Sequence, residues 1–490
     1  MKLISTSSRL PLSRRMVTRL LFVEPPKEYW FVMGEYLPPP TGLLALAAYV
    51  ERELPGTEIG VVDCQAEGKG WPELEKSIES FSPSIVATSG FTCNAYVCAK
   101  VAELAKKVDE RIVTIVGGQH FSAIPEESLR DFPEIDYIVR GEGEQTLVEL
   151  IRALEQAKGF TDVGGLSFKN NGGIVHTPPR SLIENLDSLP FPAYHLLGKN
   201  IGKYHFTMMA GKNTSYMILE GSRGCSFKCS FCTQWRHWGG TWRTKSAKRI
   251  ADEMEHLHTD FGGQFLWLTD DNFDYAKRGK ALWQELKDRR FSKDIVWFFQ
   301  ARMDDIVRNA DLVAKMREVG NNWILLGVES DSPERLKEFR KGIQRSPAAQ
   351  AVKILNDNDI FSQSMLIIGS RKDTEESIEQ LRRFTLSLDT NFAIYTVLTP
   401  FPGTDIYQEA SQNGWLEDRN FAHYDMSHAI MPTESLSRME VQEELYYCYK
   451  DFYGSVIRGL RGLFAKNMVK RRAYRHMAKK GVLRSLRNLI

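Results

Sequence analysis

Cys225, Cys229 and Cys232 lie within eight positions of one another at C-x3-C-x2-C spacing, in the stretch Gly221-Ser222-Arg223-Gly224-Cys225-Ser226-Phe227-Lys228-Cys229-Ser230-Phe231-Cys232. Three thiolates on one tight loop can hold three irons of a [4Fe–4S] cluster and leave the fourth iron open to a small molecule. Gly221 and Gly224 let the backbone bend around so bulky a group. Two other readings compete. One is a zinc knuckle completed by His237, although zinc sites more often pair their cysteines two and two. The other is three ordinary buried cysteines, an unusual density for a glycine-flanked loop.

The chain that must position this loop has 490 residues, enough for two or three domains, with 42% hydrophobic and 26% charged residues and a net charge of +2. These are values of a soluble globular protein. An odd count of seven cysteines and the lack of a secretory signal argue against a disulfide framework. Residues 1–16, basic and serine-rich, read as a disordered lead-in, with Met16 as an alternative start. No run of 18 apolar residues occurs, so no membrane span is expected, and the expected location is the cytoplasm.

Residues 17–158 alternate apolar strands (19–23, 58–63, 85–90, 112–118 and 136–140) with helical segments (41–54, 95–108 and 144–155). That pattern predicts a doubly wound parallel sheet, which binds ligands at the carboxyl ends of its strands. Those ends read Ser89-Gly90, Gly117-Gly118-Gln119-His120 and Gly141-Glu142-Gly143-Glu144. Residues 159–215 read as a connector: a hairpin turning at Asn170-Asn171-Gly172-Gly173, then a proline-rich strap.

Over residues 216–410 six further strand–helix units follow, the first running straight into the cysteine loop. They predict a partial (β/α)6 barrel with its site at the carboxyl ends. Polar residues stand there: Asp270, Asp271 and Asn272; Gln300 and Arg302; Glu329 and Ser330; Thr399. Carboxylates and amides suit an ammonium and ribose hydroxyls, and an arginine suits a carboxylate. Asp270-Asp271 could instead be a metal or general-base pair, but nothing supplies the remaining ligands.

Residues 411–490 predict a helical region. After Asp451 no acidic residue occurs, while Arg458, Arg461, Lys466, Lys470, Arg471, Arg472, Arg475, Lys479, Lys480, Arg484 and Arg487 interleave with apolar residues. This reads as a basic amphipathic tail for a membrane surface, in preference to nucleic acid. A helix packed on the barrel rim is the alternative.

The cysteine spacing, with Phe231 just before the last cysteine, resembles the signature of the radical S-adenosylmethionine (AdoMet) enzymes. Asp270-Asp271-Asn272-Phe273, Gly327-Val328-Glu329-Ser330 and Thr399-Pro400-Phe401-Pro402-Gly403-Thr404 are similar to that family's barrel. The resemblance implies that Phe231 contacts adenine and that Asp271, Gln300, Arg302 and Glu329 contact AdoMet. The segment before it, with Pro38-Pro39-Pro40-Thr41-Gly42-Leu43 and the glycine-rich strand ends, resembles the cobalamin-binding domain that precedes many of these enzymes. This implies cobalamin contacts from Gln65, Ser89, Gly90, Gly117, Gly118, His120, Glu142 and Gly143. Asp63-Cys64-Gln65-Ala66-Glu67-Gly68 carries Gln65 where many cobalamin domains carry the histidine that ligates cobalt. The lower face of cobalt is then left unliganded or covered by this loop, which eases methyl transfer. Cys64, Cys93 and Cys98 are assigned to structure.

The resemblance thus implies an N-terminal doubly wound, Rossmann-like cobalamin domain, a radical AdoMet barrel and a C-terminal helical region. It also implies a reaction: a reduced [4Fe–4S] cluster cleaves AdoMet, the 5′-deoxyadenosyl radical removes a hydrogen from an unactivated carbon, and methylcobalamin supplies a methyl group. An apolar, lipid-like or tetrapyrrole-like substrate between the domains is expected, with an electron donor such as flavodoxin or ferredoxin. The runner-up is radical cyclisation or carbon–carbon coupling, since residues 424–453 also resemble the anaerobic cyclase of bacteriochlorophyll synthesis. A non-catalytic sensor of cobalamin and cluster is the third reading.

Overall fold

The computed structural model describes residues 17–27, 36–211, 213–344 and 346–480. The expected lead-in, and Arg484 and Arg487 of the tail, lie outside them. The chain forms two compact units. Among the described residues one takes 17–27, 40–183 and 188–200, and the other takes 36–39, 184–187 and 201–480.

In the first unit, β1 (Arg19–Glu24), β2 (Glu58–Asp63), β3 (Ile85–Ser89), β4 (Val113–Gly117) and β5 (Tyr137–Val139) pair in parallel in the order β2-β1-β3-β4-β5. The order reverses between β1 and β3, which opens a crevice at their carboxyl ends. Both faces of β1 are buried. Leu20 and Phe22 meet α1 (Thr41–Glu53) and α4 (Gly143–Gln156), while Leu21 and Val23 meet α2 (Trp71–Phe81) and α3 (Ala95–Val108). This is why these strands read as continuous apolar runs. Helix α2 went unread in the sequence.

The hairpin expected in the connector is part of this sheet. β6 (Leu166–Asn170) runs antiparallel to β5, with Phe168 opposite Tyr137, and β7 (Gly173–His176) completes the edge. The rings of Tyr137, Phe160 and Phe168 cluster there, the first two 5.1 Å apart. That apolar contact docks the hairpin.

In the second unit six parallel strands follow in chain order: β8 (Tyr216–Leu219), β9 (Phe265–Leu268), β10 (Val296–Arg302), β11 (Asn321–Glu329), β12 (Phe361–Ile368) and β13 (Phe392–Val397). Large side chains fill the barrel floor at their amino ends. Tyr216, Phe265, Phe298, Trp323, Phe361 and Phe392 pack with Phe206, Met208, Met209, Val469 and Ala473. Trp323 stacks on Phe298 at 4.0 Å.

The last two floor residues of that cluster belong to one helix of the expected basic tail. Helices α5 (Arg438–Tyr453), α6 (Val456–Leu463) and α7 (Met468–Lys480) form its described part. In α7 the basic sequence is no free amphipathic arm: Val469 and Ala473, one turn apart, plug the floor. Tyr474 Oη donates to the Asn391 carbonyl (3.0 Å) and Arg472 Nη1 to the Ala210 carbonyl (2.6 Å). Helix α5 lies on β13, with Tyr449 and Tyr453 Oη donating to the Tyr395 and Ala393 carbonyls. No helix among the described residues is long and apolar enough to cross a membrane.

Candidate functional site

The cysteine loop begins where β8 ends, and a buried clamp fixes its first turn. The Gly221 amide donates to Asp270 Oδ1 (2.8 Å), the Gly221 carbonyl accepts from Arg278 Nη2 (3.0 Å), and Arg278 pairs with Asp270. Asp270 therefore serves the backbone and stands apart from Asp271 in role. Gly224 has φ +85°, and a Cβ there would lie 2.0 Å from the Thr241 carbonyl oxygen. Farther on, the Ser230 amide and hydroxyl donate to the carbonyls of Phe339 and Glu338, and the Trp235 indole donates to that of Cys229 (3.0 Å).

All three thiols are free. Burial pushes each of them up, Cys232 to about 12. Buried thiolates of this kind need a cation beside them, as iron would provide. Among the described residues no three His, Cys, Asp or Glu side chains converge on a single-ion site. Three cysteine thiolates are the donors that iron of a cluster takes, so the donor set fits one. His237, the alternative zinc ligand, ends the short helix Gln234–His237 with its ring edge-on to Trp238.

Beside the loop a cavity of about 240 Å³ opens at the carboxyl ends of the strands. Phe231, Asp271, Gln300, Arg302 and Glu329 all line it, because successive parallel units deliver their strand ends to one rim. Apolar side chains line it as well, among them Leu325, Met365, Ile367, Val397, Leu398 and Phe401. The guanidinium of Arg302 stacks 3.6 Å over the Phe227 ring, and its Nε donates to Asp304 (3.0 Å). Its Nη2, with Asn272 Oδ1 and Glu329 Oε2, is buried without a hydrogen-bond partner. One unpaired cationic donor and two unpaired acceptors in one cavity suit a zwitterionic amino acid joined to a ribose, which is the polar half of AdoMet. Asp271 is pushed up to about 8, first by burial and then by the charges of Asp270 and Glu220.

Two participants escaped the sequence reading. Lys341 lines the cavity and pairs with Glu329. Phe227 stood in a quoted motif without an assigned role, while Asn272 was among the polar strand ends but not among the named AdoMet contacts. Lys341 comes from a loop with no motif, so no sequence signal pointed to it.

In the first unit the strand ends bring Ser89, Gly90, Gly117 and Gly118 together. The Gly90 amide donates to the Gly117 carbonyl (3.1 Å), and a Cβ on Gly118 (φ +94°) would stand 2.6 Å from the Gly90 oxygen. Glycine lets the two loops close on each other and leaves Ser89 as the one side chain among these four residues, which suits close approach by a large planar cofactor. Gly143 begins α4 at the neighbouring strand end. Glu142 turns inward, its Oε2 accepting the Ile183 amide (2.7 Å). His120 is 1% exposed and edge-on to Phe121, and burial lowers its imidazole to about 4. That ring is not presented at the strand-end surface. Gln65 sits on the one-turn helix Cys64–Glu67 after the edge strand β2, capped by Asp63, with its side-chain amide donating to the Lys27 carbonyl.

Three thiols on one loop and unpaired polar atoms in the cavity beside it fit a radical SAM enzyme. The comparisons agree: residues 219–385 match the Radical SAM superfamily and residues 34–151 match the B12 binding domain. An uncharacterized methyltransferase of Pyrococcus horikoshii, PH0819, is 32% identical over 89% of this chain and 93% of its own length. The anaerobic magnesium-protoporphyrin IX monomethyl ester cyclase of Rubrivivax gelatinosus is 28% identical, covering 85% of this chain and 74% of the cyclase. The radical S-adenosylmethionine methyltransferase TsrM of Kitasatospora setae, solved with cobalamin and a [4Fe–4S] cluster, shares the fold with a TM-score of 0.72. It is 17% identical, over 97% of this chain and 100% of that one. The chain belongs to the cobalamin-dependent radical SAM enzymes of the methyltransferase family, whose cofactors are a [4Fe–4S] cluster, S-adenosylmethionine and cobalamin.

Proposed function

We propose that this enzyme methylates an unactivated carbon of an apolar small molecule. The observation that carries the reading is the lining of the cavity, which joins three unpaired polar atoms to a set of apolar side chains. When bound, the cluster and AdoMet supply the 5′-deoxyadenosyl radical and cobalamin supplies the methyl group. Cys225, Cys229 and Cys232 hold the cluster, and Arg302 grips the AdoMet carboxylate. Asn272 and Glu329 accept hydrogen bonds from its ammonium or ribose, and Gln300 contributes a neutral amide. Phe231 packs on adenine. Asp271, whose carboxyl burial pushes up toward its protonated form, donates a hydrogen bond without adding charge. Ser89, Gly90, Gly117 and Gly118 form the cobalamin lip. Leu325, Met365, Ile367 and Val397 exclude water from a reactive intermediate. The electron comes from a reduced flavodoxin or ferredoxin.

Anaerobic reconstitution with iron, sulfide and cobalamin, followed by AdoMet and reductant, tests this. 5′-Deoxyadenosine with S-adenosylhomocysteine is the expected pair of products. Deoxyadenosine that persists in Cys229→Ala removes the radical assignment. Deoxyadenosine without S-adenosylhomocysteine favours the second reading, a radical cyclisation, which the likeness to the magnesium-protoporphyrin cyclase supports.

A further inference from the structure

Helix α6 is mounted the wrong way round for a helix of a soluble barrel. Val456, Ile457, Leu460 and Phe464 are 74%, 66%, 52% and 80% exposed. At helical spacing these four share an arc of roughly 100°. No other large apolar side chain among the described residues is as exposed as Val456, Ile457 or Phe464. The face turned to the protein is the polar and small one. Arg458 stacks 4.2 Å over Phe452 and donates to the carbonyls of Thr390 (3.0 Å) and Leu386 (3.4 Å). Gly462 is buried against Tyr474 so closely that a Cβ would fall 2.1 Å from its ring. Arginine and glycine thus hold the helix by its back and present its apolar side outward. An exposed apolar patch with such support marks an interaction surface.

The charge around the patch selects the partner. Arg461 and Lys466 are exposed beside it, and Arg475 and Lys479 are exposed on α7. The chain has no acidic residue after Asp451. We propose that α6 is a docking helix that seats this chain on an anionic lipid surface, with Val456, Ile457, Leu460 and Phe464 entering the headgroup layer and the flanking cations meeting lipid phosphates. A second copy of the chain fits less well. A two-fold contact sets the same patch against itself and brings Arg461 and Lys466 of both copies together. Four side chains also bury far less than the roughly 800 Å² per partner of a stable interface. Because Thr390 and Leu386 precede β13, the helix lies at the amino ends of the strands, away from the cavity. Docking therefore anchors the enzyme without bringing the cavity mouth to the bilayer.

This inference does not depend on the reaction, and its test needs no turnover. The full chain is sedimented with vesicles of phosphatidylcholine containing 30% phosphatidylglycerol, and with phosphatidylcholine alone. Binding to the anionic vesicles is expected, with a drop of about ten-fold for Leu460→Asp/Phe464→Asp at an unchanged melting temperature. Arg461→Glu/Lys466→Glu weakens it similarly, as does added salt. Equal binding by the Leu460→Asp/Phe464→Asp variant overturns the proposal. So does a concentration-dependent dimer that this variant abolishes, since the face would then belong to a second copy. Binding that emerges only in a chain ending at Lys480 also overturns it, because residues 481–490 would then be what covers the face.

Discussion

The Lys341 ammonium lies 2.5 Å from Oε1 of Glu329, and both side chains are buried at the rim of the cavity. Glu329 is also a non-glycine residue at φ +57°, a backbone conformation that costs energy unless its surroundings enforce it. The pair places one glutamate oxygen against its own cation and leaves the other for a ligand.

Removing Lys341 strands a buried carboxylate. Lys341→Ala should cost the apo-protein about 3–5 kcal/mol in denaturant unfolding. Lys341→Met combined with Glu329→Gln should recover much of that loss while AdoMet binding stays weak. Full AdoMet affinity in the double variant would remove Glu329 from the binding set.

Asp271 gives the apo-protein a pH dependence of known sign. Its folded value is raised to about 8 while an unfolded aspartate titrates near 3.9, so between these limits the folded state holds the extra proton. This contribution is therefore full below about pH 4 and is lost as pH rises toward 8. Asp271→Asn removes it. The variant should gain stability relative to the parent between pH 5 and pH 8, by an amount on the order of a few kcal/mol at most. Melting curves at both pH values check this, and a constant difference across the range refutes it.

The clamp on Gly221 predicts a defect in cluster retention without any change to a thiol. Arg278→Ala leaves Asp270 buried and unpaired, at a cost of about 3–5 kcal/mol. It should also lower iron per chain after reconstitution and desalting, although all three cysteines remain. Retained iron with lowered stability would limit the clamp to a role in folding.

At the strand ends of the first unit, two glycines of positive φ differ in how crowded they are. Gly118→Ala meets both a positive φ and a 2.6 Å contact, whereas Gly141→Ala meets φ +72° with open space around it. Gly141→Ala should cost about 1–2 kcal/mol. Gly118→Ala should cost more and should release cobalamin during gel filtration, followed by its visible absorbance.

Much of the barrel is legible because period and chemistry coincide there. The six apolar runs end in polar residues, and parallel units in chain order must deliver those ends to one rim. Phe231, Asp271, Gln300, Arg302 and Glu329 could therefore be grouped before their distances were known. Lys341 could not, since its only qualification is the carboxylate it meets in space. The hairpin at residues 166–176 was readable from Asn171 and Gly172, but its docking depends on Tyr137 finding Phe168, a pairing that turn chemistry does not encode. The basic tail shows the limit most clearly. Helices α6 and α7 both interleave cations with apolar residues, yet Val469 and Ala473 face the floor while Val456 and Leu460 face outward. Composition carries no instruction about which way a helix is mounted, and that is decided by Arg458 and Gly462.

The plug formed by α7 also bears on how the chain is made. Phe206, Phe298, Trp323 and Phe361 leave the ribosome well before Val469 and Ala473, which cover them. Throughout that interval the growing barrel carries an open aromatic underside, the kind of surface that attracts chaperones or neighbouring nascent chains. Completion of the catalytic unit waits on a helix synthesised long after every strand, so premature termination before residue 468 would release a product with all its cysteines in place and its base unsealed.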